Sequence, residues 1–379
     1  MEITRAIEDR FRKVLRPNKV VLLLGARRTG KTWFLKTVIP GLGMPYLFLN
    51  GDDAAVRKVF EEQTLSGFRS LVGKNTLLVI DEAHRIPEVG WGLKLMVDEI
   101  PGLHIVATGS SVFDLKNITG EPLTGRKSEL YLYPFAQMEL STRENFAETR
   151  SELAERLVFG TYPELLHLKS LNDKADYLRD MVSSYLFKDI LEFDGVRNSG
   201  KIQDLLRLIA FQPGKEVSMD ELSKHLGLSK NTVDRYLMLL QKVFILQKLP
   251  GFSRNLRKEV TRHSRYYFID NGVRNALINN FNPIPLRNDV GELWESYLIM
   301  ERVKYQSYTN LYSLNYFWRT YQQQEIDFIE DREGKLYAYE FKWNMDKKSK
   351  IPSAWKEAYP DSEFNTIDPS NYLFWIDKV

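Results

Sequence analysis

The chain contains no cysteine, which excludes disulfides, zinc ribbons and thiol catalysis. It has no run of about 18 apolar residues, so no membrane-spanning helix is expected. Neither sign of charge dominates. Lys and Arg number 53 against 50 Asp and Glu, a formal net charge of +3, so any nucleic-acid surface has to be a local patch. The first residues, Met1-Glu2-Ile3-Thr4-Arg5, are polar and charged, unlike a secretory signal. These absences together lead us to expect a cytoplasmic protein. What is present suffices for real cores: 379 residues, 43 % hydrophobic, or two to three domains at roughly 150 residues each.

Residues 1–150 alternate short apolar runs with helix-like stretches. The runs are Val20 to Leu24, Tyr46 to Leu49, Leu77 to Ile80, Ile105 to Thr108 and Leu130 to Tyr133. Without internal polar alternation, they read as strands of a parallel sheet buried on both faces, hence an α/β domain. Residues 151–212 read as a helical extension, with Tyr177 to Ile190 as one helix. Residues 213–275 read as two short helices and a two-stranded wing. Residues 285–379 return to helix and strands. No low-complexity linker separates these parts, so they are expected to pack together.

The first apolar run leads straight into Gly25-Ala26-Arg27-Arg28-Thr29-Gly30-Lys31-Thr32, and Trp33 onward can continue as a helix. Strand, G-x-x-x-x-G-K-T and helix is the context of a phosphate-binding loop. Glycine lets the backbone wrap phosphate so that main-chain N–H groups point inward, and the helix N-terminus adds its positive dipole end. Residues Gly25 to Trp33 are therefore expected to hold ATP, with Lys31 on the β- and γ-phosphates and the Thr32 hydroxyl on Mg²⁺. The third apolar run ends in Asp81-Glu82, which predicts Asp81 in the Mg²⁺ shell and Glu82 polarising the attacking water. Asp81-Glu82-Ala83-His84 also spells the box of one helicase class, but other helicase motifs are not evident. His84 reads as a hydrogen-bonding residue beside the site. A hydroxyl at the end of the fourth run, Thr108 or Ser110, would sense the γ-phosphate; spacing does not separate the two.

The succession Gly-Ala-Arg-Arg-Thr-Gly-Lys-Thr, Asp-Glu-Ala-His, Thr-Gly-Ser-Ser and Leu123-Thr124-Gly125-Arg126 before Leu130-Tyr131-Leu132-Tyr133-Pro134-Phe135 resembles one large family. It is that of bacterial and archaeal AAA-type P-loop ATPases with a winged-helix and a PD-(D/E)xK nuclease-like C-terminal region. The resemblance implies an AAA-type nucleotide domain. It places Arg126 either near the γ-phosphate or at a neighbouring subunit, hence in a homo-oligomer, beside the alternative of a structural Arg tying a loop to the sheet. The chain departs from the family's usual loop at Arg28-Thr29, positions that face outward.

Ser218 to Leu240 carries a helix-turn-helix pattern. Ser218 and Ser229 cap the two helices, Gly227 supplies the turn, and Leu222, Leu226, Val233, Leu237 and Leu240 share one face. The reading is DNA binding, with Ser229, Lys230, Asn231, Thr232 and Arg235 toward the major groove. The loop between the wing strands adds Arg254, Arg257, Lys258, Arg262 and Arg265 against one acid, Glu259, a patch suited to phosphates. The alternative is an ATP-dependent switch whose C-terminal parts bind protein partners.

Near the C-terminus, Glu340 and Lys342 lie on one face of a strand, and Asp327 falls on the neighbouring strand of a hairpin. Asp followed by Glu-x-Lys resembles the PD-(D/E)xK core of restriction-endonuclease-like domains. Asp327 and Glu340 would bind Mg²⁺, Lys342 would activate water or neutralise phosphate, and Glu295 would complete the acid cluster.

Overall fold

The computed structural model describes residues 3–110, 123–186, 199–253, 264–346 and 349–377. Contacts divide the chain into two compact units, Met1–Pro134 with Lys242–Phe244, and Phe135–Gln241 with Ile245–Val379.

The first unit is built on five strands, β1 (Lys19–Leu24), β2 (Tyr46–Asn50), β3 (Leu77–Asp81), β4 (His104–Gly109) and β5 (Lys127–Tyr131). They run parallel in the order β2-β3-β4-β1-β5. The three inner strands carry the continuous apolar runs, and Val20 to Leu24 and Leu77 to Ile80 are fully buried. The outer strands depart from the both-faces-buried pattern. β2 is only half-buried, and β5 begins earlier than its apolar run, at the polar residues Lys127, Ser128 and Glu129. An edge strand has a neighbour on one side only and so tolerates polar residues that a central strand does not.

The strand order positions the chemistry. β4 lies between β1 and β3, with Leu23 opposite Thr108 and Ile80 opposite Ala107. The residues that follow β1, the acids that end β3 and the hydroxyl at the end of β4 therefore meet at one edge of the sheet.

The second unit opens with the short helix Gln137–Leu140 and the helices Phe146–Phe159, Leu171–Met181 and Ser199–Ala210. Next come β6 (Glu216–Val217), the helices Met219–Leu226 and Lys230–Lys242, β7 (Leu246–Pro250) and β8 (Ser264–Phe268). These three strands form an antiparallel sheet in the order β6-β8-β7. The helix Val290–Thr309 then precedes β9 (Leu314–Arg319), β10 (Glu325–Arg332), β11 (Lys335–Phe341), the helix Ser353–Ala358 and β12 (Glu363–Ile367). The order is β12-β11-β10-β9, with β11 and β12 parallel and the other pairs antiparallel.

One core joins these parts of the second unit. Leu153 and Leu157 from the helices, Leu249 and Tyr267 from the small sheet, and Trp294, Phe328 and Phe341 from the C-terminal segment share a cluster. The small sheet also runs on to the larger one: Phe252 N–H donates to Phe317 O at 2.6 Å. The unit begins at Phe135 because that segment's polar groups are met within it. Phe135 N–H donates to Thr161 O, Lys304 Nζ donates to Phe135 O at 3.0 Å, and Gln137 N–H donates to Glu301 Oε2 at 2.6 Å. Buried backbone groups need such partners, so they anchor the segment. Among the described residues no helix is long and apolar enough to cross a membrane.

Candidate nucleotide site

The loop after β1 is shaped by two steric demands. A Cβ on Gly25 would lie 2.1 Å from Leu132 O, so only glycine fits there. Gly30 has φ +93 and serves as N-cap of the helix Lys31–Val38, a conformation glycine adopts without steric cost. Thr29 Oγ1 donates to Ala26 O at 2.9 Å across the loop. Arg5, buried, holds the loop from behind: its guanidinium donates to Thr29 O at 3.0 Å and to Tyr133 O at 2.6 Å. Lys31 Nζ donates to Gly25 O at 2.8 Å and Ala26 O at 3.0 Å, which keeps the ammonium on the inside of the loop. Arg28 is exposed as expected, but Thr29 is fully buried with its hydroxyl turned back across the loop, which corrects the expectation that both positions face outward; Trp33 is exposed.

The acids of β3 are tied to the loop through side chains. Thr32 Oγ1 donates to Asp81 Oδ2 at 2.6 Å. Thr108 Oγ1 donates to Asp81 Oδ1 at 2.6 Å and accepts the Glu82 backbone N–H at 2.9 Å. A carboxylate and a hydroxyl, both hard oxygen donors, suit Mg²⁺, which takes one or two carboxylates and fills its remaining positions with water and phosphate oxygens. The spacing left Thr108 and Ser110 open; the geometry commits Thr108 to Asp81 and leaves Ser110 buried just beyond the strand.

Glu82 has φ +51. Burial raises its pKa; Lys31 opposes that shift and Asp81 adds to it. His84 Nδ1 lies 3.4 Å from Glu82 Oε2. Burial first, then Arg85, Arg27 and Lys31, lower the His84 pKa to about 3.

Arg126 stands apart from this group. It precedes β5, whose Lys127 is level with Val20 near the start of β1, whereas the phosphate loop follows the end of β1. About five residues at roughly 3.3 Å each separate the two edges. The Arg126 side chain donates instead to Asp98 Oδ1 at 2.6 Å. The expectation that it nears the γ-phosphate of its own chain is thereby corrected, because the start of β5 lies at the wrong edge of the sheet.

In the second unit, Asp327 and Glu340 do fall on paired strands, β10 and β11. Each has a partner of its own. Asp327 Oδ2 accepts the Phe341 N–H at 2.8 Å, and Glu340 Oε1 accepts from Lys342 Nζ at 2.6 Å. Burial, then Glu295, then Glu340 raise the Asp327 pKa well above the usual carboxylate range. The carboxylates thus repel one another, yet among the described residues no group of three or more His, Asp or Glu is set to hold one metal ion. Glu295 turns to other partners, accepting from Tyr267 Oη and lying 3.5 Å from Arg265 NH1. The sequence reading missed this, and it corrects the place of Arg265. That residue is 5 % exposed on β8, its NH2 is 3.0 Å from Glu325 Oε2, and its guanidinium lies 4.5 Å from the Phe317 ring centroid. It is an internal counter-ion and not part of a phosphate-binding patch. The other basic residues of that loop, Arg254, Arg257, Lys258 and Arg262, lie outside the described residues.

On the helix Lys230–Lys242, Asn231, Asp234, Arg235 and Met238 are exposed on one face. Lys230 is paired with Asp220. Ser229 caps the helix by accepting the Thr232 N–H at 3.1 Å, and the two hydroxyls bond each other at 2.9 Å.

Comparison with known proteins adds to this geometry. Residues 150–283 match a domain of unknown function, DUF8612, and residues 290–374 match another, DUF4143. The chain is 26 % identical over 338 residues to "Uncharacterized protein Rv2008c" of Mycobacterium tuberculosis, 88 % of this chain and 72 % of that one. It is 23 % identical over 374 residues to "Uncharacterized protein MJ1544" of Methanocaldococcus jannaschii, 93 % and 81 % of the two chains. Among solved structures, a RuvB variant of Thermotoga maritima is similar with a TM-score of 0.35 and 18 % identity over 69 % of this chain and 95 % of that one. A Signal Transduction ATPase with Numerous Domains protein of Pyrococcus horikoshii is similar with a TM-score of 0.33 and 11 % identity over 82 % and 48 %. Residues 17–141 match the AAA domain family. That match spans the residues that build the phosphate loop and the acid pair, so this part of the chain is similar to AAA-type P-loop domains.

Proposed function

We propose that the N-terminal unit hydrolyses ATP with Mg²⁺, with Glu82 as general base. The observation that carries this reading is the hydrogen-bond chain from Thr32 through Asp81 and Thr108 to the Glu82 N–H. It joins the loop that takes phosphate to the strand end that carries the base. Glu82 accepts a proton from a water while the water oxygen bonds the γ-phosphorus. The bond from that phosphorus to the β,γ-bridging oxygen breaks, leaving ADP and phosphate. A buried base with a raised pKa takes the proton more readily than an ordinary carboxylate. Lys31 neutralises β- and γ-phosphate oxygens. Thr32 and Asp81 would hold Mg²⁺, which supplies further charge neutralisation when bound. Ser110 is the hydroxyl assigned to the γ-phosphate, because Thr108 is already engaged. Arg126 is assigned to a neighbouring subunit's nucleotide.

Glu82→Gln tests this reading. It should bind ATP as tightly as the wild type and turn it over on the order of 100-fold more slowly. Wild-type turnover in that variant would sink the assignment.

The order helix, β6, two helices, β7, β8, with strands arranged β6-β8-β7, supports a winged helix. Double-stranded DNA is its proposed partner, through Asn231, Arg235 and the basic loop. Asp234 on the same helix face weighs against tight binding. Binding should weaken steeply between about 50 and 200 mM salt, and further when Arg254, Arg257 and Arg262 are neutralised. Absence of binding at low salt would favour the nucleotide-dependent protein switch instead. The succession of a helix, β9 to β11, a helix and β12 supports the nuclease-like fold. With Glu295 turned to Arg265, we propose that this fold is kept without the cutting reaction.

A further inference from the structure

His84 follows Glu82 by two residues, and its side chain is 5 % exposed. Glu82 is left-handed, and the short turn Ala83–Arg85 starts immediately after it. A left-handed residue followed by a tight turn folds the chain back on itself, which brings the His84 ring beside the carboxylate. Nδ1 and Glu82 Oε2 are 3.4 Å apart, just beyond a good hydrogen bond. Neither ring nitrogen has a hydrogen-bond partner among the described residues. Burying an imidazole with both nitrogens unpaired is costly, and an apolar residue would make the same turn without that cost.

The surroundings of Glu82 show what is missing. Its backbone is held at both polar groups: the Thr108 hydroxyl accepts its N–H, and its carbonyl accepts the Arg85 N–H at 2.9 Å. Its carboxylate has no comparable anchor among the described residues. The ring beside it is neutral at physiological pH, since its pKa is lowered to about 3. It therefore has one N–H to give and is not a counter-ion for phosphate.

We infer that His84 is a positioning residue for Glu82: its Nδ1–H closes on the carboxylate and fixes the direction in which that carboxylate meets the attacking water. This rests on Glu82 being the base. His84→Leu keeps bulk and removes the donor, whereas His84→Asn keeps an N–H near the Nδ1 position. His84→Leu should lower kcat about tenfold with KM for ATP within about twofold, and His84→Asn should recover most of the rate. Binding of a fluorescent ATP analogue should be unchanged in both. A wild-type kcat in His84→Leu overturns the inference, as does an equal loss in the Leu and Asn variants. If His84→Leu does not fold, His84→Gln decides. Gln carries its N–H near Nε2, so it should be slow where Asn is fast, and equal rates overturn the inference. Glu82→Gln is measured alongside. Wild-type turnover there removes the base and the His84 role together, whereas a slow Glu82→Gln with a wild-type His84→Leu removes the His84 role alone.

Discussion

Thr108 and Asp81 are joined by a 2.6 Å hydrogen bond in which the hydroxyl donates, and the same hydroxyl accepts the N–H of Glu82 at 2.9 Å. One side chain thus sets both the Asp81 carboxylate, proposed to face Mg²⁺, and the backbone of Glu82, the proposed base. Thr108→Val keeps the shape and removes both bonds. It should lower kcat by about tenfold or more and weaken the Mg²⁺ dependence of ATP binding, while Thr108→Ser should stay close to wild type. Steady-state turnover across a Mg²⁺ titration is the measurement. A Val variant that matches wild type would show that the hydroxyl is incidental.

Arg126 offers a test of assembly. It lies at the sheet edge away from its own phosphate loop, so its loss should leave ATP binding by an isolated chain unchanged. If it serves a neighbour, Arg126→Ala and Lys31→Ala should each be nearly inactive. A mixture should regain activity, because an intact loop then meets an intact arginine at some interfaces. A mixture no better than its parts would return Arg126 to the structural role suggested by Asp98.

The buried pair of Arg265 and Glu295 gives a prediction in pH. Burial, as the largest cause, raises the Glu295 pKa from 4.5 to about 7. The folded protein therefore keeps a proton that the unfolded chain releases between those values. Stability from this group is greatest below pH 4.5 and falls as pH rises toward 7. The fall is at most about 3 kcal/mol at roughly 1.4 kcal/mol per unit. Glu295→Gln should remove that slope, read by urea unfolding at about pH 5 and about pH 8. Arg265→Met should lower stability by roughly 3 kcal/mol at the higher pH, because it leaves buried carboxylates without their cation. Equal slopes in wild type and Glu295→Gln would contradict this account.

The parts of the proposed nucleotide site that sequence pattern can reach are contiguous. Gly25 to Thr32 and Asp81-Glu82 are short strings, each following a buried strand, and local pattern carries them. Thr108 and Ser110 could not be told apart, since the register between β3 and β4 decides which hydroxyl meets Asp81. The alternatives for Arg126 stayed open for a related reason: its edge of the sheet depends on where β5 begins, and polar Lys127 to Glu129 hid that start. Arg265 shows a different blindness. A count of basic residues in a loop does not see the counter-ions Glu295 and Glu325, which arrive from elements far along the chain. The edge position of β2 was equally silent, because Tyr46 to Leu49 are apolar whether or not a neighbour covers them.

Arg5 grips the carbonyls of Thr29 and Tyr133 with one guanidinium. The first belongs to the phosphate loop, and the second stands one residue before Pro134, where the first unit ends. While both bonds hold, a displacement of the loop would be shared with the stretch of chain that leads out of the domain. Arg5 is thus a crosspiece between the phosphate loop and the exit of the sheet, where a shift of the loop would be passed to that stretch by a shared guanidinium.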